Sequence, residues 1–185
     1  MNWDSFYKPP SFSVKKKKEK KKDKELQNKT IRIAVFFDGT SNNRTNVDLG
    51  VENAPEKAKK GIRGLSYTRE YTNIAKLDNC WEEYNSKDYS GHVYIEGIGT
   101  EDEQPDDIQG LALGTGDTGV EGKAEKGLNE VLFRVTDRID FGMEKIEYLH
   151  LDVFGFSRGA AAARNFIYRA LENTGLTLKD KLKER

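Results

Sequence analysis

The stretch IEYLHLDVFGFSRGAAAARNF, residues 146–166, decides the fold class. Residues 146–154 are rich in β-branched, aromatic and leucine side chains, which predicts a strand. GFSRG, residues 155–159, follows as a tight turn. Four alanines then open a predicted helix over residues 160–173, with Ala163, Phe166, Ile167, Ala170 and Leu171 facing inward and Gly175 as its stop. Strand, turn and helix in this order are the setting of a G-x-S-x-G nucleophile elbow. The residue types fit that geometry. A serine on a strained turn stands clear of the sheet, and Gly155 and Gly159 let strand and helix approach closely. The helix N-terminus brings free N–H groups and a favourable dipole to any oxyanion formed there. Ser157 is therefore the candidate nucleophile, with the Arg158 N–H as a first oxyanion donor.

Working outward, IRIAVFF at residues 31–37 reads as a buried strand ended by Asp38-Gly39. A helix is predicted over 67–84, from Tyr71, Ile74, Ala75, Leu77, Trp81 and Tyr84, and a strand over 92–96. Residues 50–63 and the glycine-rich residues 97–122 read as loop, the latter as a mobile loop near the site. Ala124, Leu128, Val131, Leu132, Val135 and Ile139 share one face of a predicted helix over 123–140, ended by Gly142. Strands alternating with helices imply an α/β fold with a mostly parallel sheet and helical crossovers. In that arrangement a second oxyanion donor comes from a loop after a neighbouring strand. The Asp38-Gly39-Thr40 loop is the candidate, with the Gly39 N–H as donor and Asp38 holding the loop by hydrogen bonds.

Composition excludes several classes. The chain has 185 residues, enough for one domain. Lys plus Arg and Asp plus Glu both number 31, but the balance is uneven. Residues 1–30 hold ten Lys against four acids, a net of +6, so the other 155 residues carry 21 bases and 27 acids, a net of −6. The basic charge sits in the run KKKKEKKKDK, residues 15–24, and residues 1–30 read as a disordered Lys-rich leader. Attraction to an anionic membrane, at about 1 kcal/mol per basic residue, is the functional alternative for that run. The acidic body is no nucleic-acid binder on charge grounds. There is no signal peptide and no apolar run of transmembrane length. A lone Cys80, read as a half-buried hydrophobe, and two histidines offer no metal site, and no cofactor is implied.

A serine nucleophile needs a general base. His150 lies on the strand feeding the turn, several residues before its end, and His92 opens its own strand at the opposite, amino edge. Both read as structural, and no His follows Ser157.

FFDGTSNN at residues 36–43, GIGT at 97–100 and LDVFGFSRGAAAARNF at 151–166 resemble the catalytic domain of the type VI secretion phospholipase effectors, over about residues 31–173. The resemblance implies an α/β-hydrolase-like fold, incomplete at its C-terminal end in these residues, and a Ser-Asp-His lipase acting on membrane phospholipid. It makes Ser157 the nucleophile, Gly155 and Gly159 the elbow, and Asp38-Gly39-Thr40 a loop by the active site. It also implies a protein made in the bacterial cytoplasm and exported into a target cell, with a secretion-apparatus or immunity protein as partner. The family's triad Asp and His map beyond Arg185, so residues 31–185 read as the amino-terminal part of the domain. A truncated, non-catalytic module that binds a protein partner is the alternative. An aspartyl phosphatase using Asp38 is a third reading, weakened because Thr40 stands where a second Asp is needed.

Overall fold

The computed structural model describes residues 26–85, 89–140 and 143–171. Four strands form one sheet in the order β2-β3-β1-β4. They are β1 (Gln27–Phe37), β2 (Tyr84–Asn85), β3 (Tyr89–Ile95) and β4 (Glu144–Gly155). β1 runs parallel to both β3 and β4, and the short β2 is antiparallel to β3. The helices are α1 (Arg44–Asn53), α2 (Asn73–Asn79), α3 (Ile108–Leu113), α4 (Val120–Arg138) and α5 (Arg158–Leu171). The fold is α/β with a mostly parallel sheet, as the sequence predicts.

β1 is central, and its alternation supplies both faces of the sheet. Ile31, Ile33, Val35 and Phe37 pack into the main core with Val93 and Ile95 of β3, Ala124, Leu128, Val131 and Val135 of α4, and Ala162 and Phe166 of α5. Ala34 and Phe36 point the other way, onto Ile74 of α2 with Trp81 and Tyr94. The connection from β1 to β3 therefore lies on one face and that from β3 to β4 on the other. Phe37 pairs in register with both Ile95 and Gly155, so the three parallel strands end level. The loops after them, beginning at Asp38, Glu96 and Phe156, meet at one edge. The chain leaves β1 toward one face and β4 toward the other. That divergence opens a crevice of the kind where open α/β sheets bind ligands.

Several elements differ from expectation. β1 starts at Gln27, inside the predicted leader, because Gln27–Lys29 pair with Glu144–Ile146. The predicted helix over 67–84 is a 3-10 turn at Gly61–Tyr67 followed by the seven-residue α2. Thr72 fixes the start of α2 by accepting the Ala75 N–H at 3.1 Å. Leu77 is 49% exposed, and Cys80, just past the end of α2, is exposed instead of half-buried. The buried stripe of α5 is Gly159, Ala162, Ala163 and Phe166, one position round from Ile167 and Leu171, which are exposed. α1 is additional. Its buried Asn46 donates to Ser66 Oγ at 2.9 Å and the Glu101 carbonyl at 3.1 Å, and accepts from the Glu103 N–H at 2.7 Å. Gly142 and Gly175, the expected helix stops, lie outside the described residues.

The glycine-rich stretch is built rather than loose. Asp107 caps α3 by accepting from the Gln109 and Gly110 N–H groups, and it accepts the Thr118 hydroxyl at 2.6 Å. The Gly99 N–H donates to the Thr118 carbonyl at 2.8 Å. Beside it, Lys123 of α4 is buried and donates to both Glu96 and the Thr100 carbonyl at 2.6 Å. Burial opposes the Glu96 carboxylate, but Lys123 and Lys126 outweigh it and hold its pKa below the usual range.

Candidate active site

Ser157 occupies the turn between β4 and α5 with φ of 52°, a left-handed conformation costly for any residue with a Cβ. The Phe156 N–H donates to the Phe37 carbonyl at 3.1 Å, and the Ala160 N–H to the Ser157 carbonyl at 2.9 Å. The turn is thus tied to the end of β1 on one side and to the first turn of α5 on the other. Both flanking glycines are sterically required. A Cβ on Gly159 would lie 2.1 Å from the Asp38 carbonyl oxygen, and one on Gly155 would lie 2.7 Å from Ala160 Cα. Ser157 is exposed, and its helix begins at Arg158, whose N–H has no residue of an earlier turn to bond.

The Asp38-Gly39-Thr40 loop lies against this turn. A Cβ on Gly39 would meet the Phe156 ring at 2.4 Å, and one on Gly97 would meet the Gly39 carbonyl oxygen at 1.7 Å. The loops after β3, β1 and β4 therefore stack through two glycines. Asp38 is 2% exposed and fully engaged. Its Oδ1 accepts from the Gly39 N–H at 2.7 Å and the Thr72 hydroxyl at 2.8 Å, and its Oδ2 from the Tyr94 hydroxyl at 2.7 Å. Burial, then the Asp38 carboxylate, drive the Tyr94 phenol well above its usual range, so it remains a donor. The Arg44 N–H donates to the Tyr94 hydroxyl oxygen at 3.0 Å, and the Arg44 guanidinium lies 4.6 Å from the Tyr94 ring centroid. Tyr94→Phe is expected to cost about 2 kcal/mol, because a buried carboxylate loses one of its donors. Urea unfolding of the pair measures that difference.

The Gly39 N–H, the donor expected from sequence, is taken by Asp38. The Thr40 N–H has no acceptor among the described residues. Arg158 Nε donates to Thr40 Oγ1 at 2.8 Å, so the residue after the serine clasps the loop across the crevice. Arg158 Nη1 also lies beside Gly114, 3.8 Å from where a Cβ would stand. Next to it, a cleft of about 550 Å³ runs between the Gly114–Asp117 turn and α5, lined by Thr115, Val120, Asn165 and Arg169 among others.

Neither histidine joins this site. His92 is the fourth residue of β3, opposite Ala34 in mid-sheet, not at the start of its strand. It lies 3.2 Å from Glu83 and 3.6 Å from Asp78. His150 is exposed, opposite Arg32 on β1, five residues before Phe37. Burial lowers the His92 pKa, with Arg134 and Arg44 adding to the effect and Glu83 opposing it. A depressed pKa means the unfolded chain takes the proton first. Stability is therefore lost as pH falls through the ordinary histidine pKa of about 6.5 toward the folded-state value. Thermal melts of His92→Gln should show a weaker loss than the parent across that window.

The side-chain roles of Tyr94, Thr72 and Arg158 were not legible in the sequence. Alternation alone puts Tyr94 on the opposite face from Val93 and Ile95. The missing information was the register that sets it against Phe36, two residues before Asp38. Among the described residues no group of three His, Cys, Asp or Glu is placed to hold a metal ion, and no helix is long and apolar enough to cross a membrane.

A family model described as "T6SS, Phospholipase effector Tle1-like, catalytic domain" matches residues 31–185. A solved structure entitled "Structure of the Tle1 effector bound to the VgrG spike from the Type 6 secretion system" is similar, with a TM-score of 0.52 and 23% identity. The likeness covers 86% of this chain and 34% of that one, so this chain spans about a third of its length. That likeness supports the fold. No curated protein matches the chain.

Proposed function

We propose that this chain, which belongs to the Tle1-like family of type VI secretion phospholipase effector catalytic domains, carries the nucleophile half of a serine esterase that cleaves acyl esters of membrane phospholipid. The observation that carries this reading is the left-handed Ser157 at the carboxyl edge of the sheet, beside the crevice between β1 and β4. Strain of that kind persists where surrounding structure enforces it, and here it lifts one hydroxyl off the sheet. Ser157 Oγ attacks the acyl carbon and gives its proton to a general base. The tetrahedral oxyanion is held by the Arg158 N–H and the Thr40 N–H, with Gly39 shaping the loop between β1 and Thr40. Collapse expels the lysophospholipid alkoxide, which takes a proton, and water then releases the acyl group as fatty acid.

On this reading the base and its orienting acid are supplied by sequence beyond Arg185, and the mid-strand positions of His92 and His150, opposite Ala34 and Arg32, support it. Residues 31–185 are on this reading the amino-terminal part of the catalytic domain, behind a Lys-rich leader. The Tle1 effector in the similar structure is bound to a VgrG spike, and a spike protein of that kind is the proposed export partner, with an immunity protein as a second. The protein is made in the cytoplasm and exported to a target cell.

The displaced histidines also favour a second reading, a non-catalytic module binding a protein partner. Asp38 as a phosphatase nucleophile is disfavoured, because it is buried and both its oxygens are occupied. The test is titration of fatty acid released from phospholipid vesicles by the protein expressed from its complete coding sequence. Fatty acid release supports the esterase. A folded protein that releases none, or that releases phosphate or head group instead, rejects it.

A further inference from the structure

We propose that the Arg158 side chain recognises the phosphodiester of the substrate, and so selects phospholipids over neutral esters. This rests on the esterase reading for the identity of the ligand. The residue's environment supplies the argument. The body of the protein, residues 31–185, is net acidic by six charges. Arg32, Arg44, Arg134, Arg138 and Arg169 each lie within 4 Å of a carboxylate. Arg158, next to the candidate nucleophile and partly buried, has no carboxylate partner among the described residues. Its one hydrogen bond, from Nε to Thr40 Oγ1 at 2.8 Å, fixes the plane of the guanidinium without neutralising it. Its Nη1 lies 3.8 Å from where a Cβ on Gly114 would stand, with Val120 Cγ2 3.7 Å from the same point, and Gly116 has nothing within 4 Å of a Cβ position.

A partly desolvated cation, held rigid and left unpaired, is organised for an anion. A planar guanidinium with two free amino groups matches phosphate oxygens in a two-point contact that an ammonium cannot reproduce. In a glycerophospholipid the phosphodiester lies a few bonds from the acyl ester. A cation on the residue after Ser157 can hold the one while the serine addresses the other. The lysophospholipid product keeps the phosphodiester, so the same contact holds the leaving group.

The test is a 31P NMR titration with glycerophosphocholine, which carries the diester but no acyl ester. Inorganic phosphate is the parallel probe. The parent is expected to bind the diester more tightly than inorganic phosphate. Arg158→Gln should weaken diester binding at least fivefold. Arg158→Lys and Thr40→Val, which keep the charge but lose its orientation, should fall between. Arg164→Gln, an exposed arginine on the same helix, should bind as the parent does. Arg158→Gln with unchanged affinity overturns the proposal, as does equal binding of diester and inorganic phosphate, which marks an adventitious ion only. Binding is read without hydrolysis. A protein that binds the diester through Arg158 but releases no fatty acid rejects the esterase and keeps this site.

Discussion

Gly159→Val is expected to leave no cooperative unfolding transition, and Gly159→Ala to lose about 3 kcal/mol, the top of the usual range for overpacking. The Cβ would stand 2.1 Å from the Asp38 carbonyl oxygen and 2.7 Å from that of Phe37, both backbone atoms. Neither can retreat. The Phe37 carbonyl accepts the Phe156 N–H at 3.1 Å, and the Asp38 N–H donates to the Ile95 carbonyl at 2.9 Å, so β1 is held from both sides. α5 would have to lift from the sheet instead. That would part the Phe166 ring from Phe37, 5.5 Å away, in a core where Phe166 is wholly buried. A domain of this size has about 5–15 kcal/mol of stability in total. Chemical denaturation of parent and Gly159→Ala measures the effect, and a difference below about 0.5 kcal/mol would show that the helix is not seated as described.

The second large effect falls on activity alone. Ser157→Ala should reduce fatty acid release about 1,000-fold or more, because no neighbouring group can replace the attacking oxygen. Stability should barely change, since the exposed hydroxyl is not part of the core. Ser157→Gly separates the two roles further. Glycine takes a φ of 52° without penalty, so this variant should be equally inactive and at least as stable as the parent. An ordinary exposed serine replaced by glycine gains nothing in stability. Equal or raised melting temperature with lost activity is therefore the signature of strain kept for function.

The elements with a strong period were legible in the sequence, and those held by polar side chains were not. β1 and α4 each carry an apolar pattern that burial follows: Ala124, Leu128, Val131 and Val135 of α4 are all buried, as is Ile139 just past its end. Residues 44–67 carry no such pattern. Their order comes from buried Asn43, Asn46, Ser66 and Asp106, whose hydrogen bonds join positions as far apart as Ser66 and Asp106. No local pattern announces a bond forty residues away. The glycine-rich stretch hid α3 for the same reason, since its cap is Asp107 and the second partner of that cap is Thr118.

The candidate site divides in the same way. Ser157 and its glycines stood out because a tight turn between strand and helix needs small residues at fixed spacing. Asp38 was read as a holder of its loop, and its carboxylate accepts from Gly39, Thr72 and Tyr94. The donor assignment failed at Gly39, because a carboxylate placed one residue earlier takes that N–H first. The link from Arg158 to Thr40 spans 118 positions and follows from the level ends of β1 and β4, which only the pairing register reveals.

The claim at the centre of this account is that Ser157 is an activated nucleophile in the protein expressed from its complete coding sequence. Reaction with a fluorophosphonate probe, followed by mass spectrometric mapping of the modified peptide, tests it most directly. The account predicts one adduct, on Ser157, absent from Ser157→Ala. It also predicts labelling about 100-fold slower in the 185-residue chain alone, whose histidines stand away from the site. A folded complete protein with no adduct, or with its adduct on another residue, would contradict it.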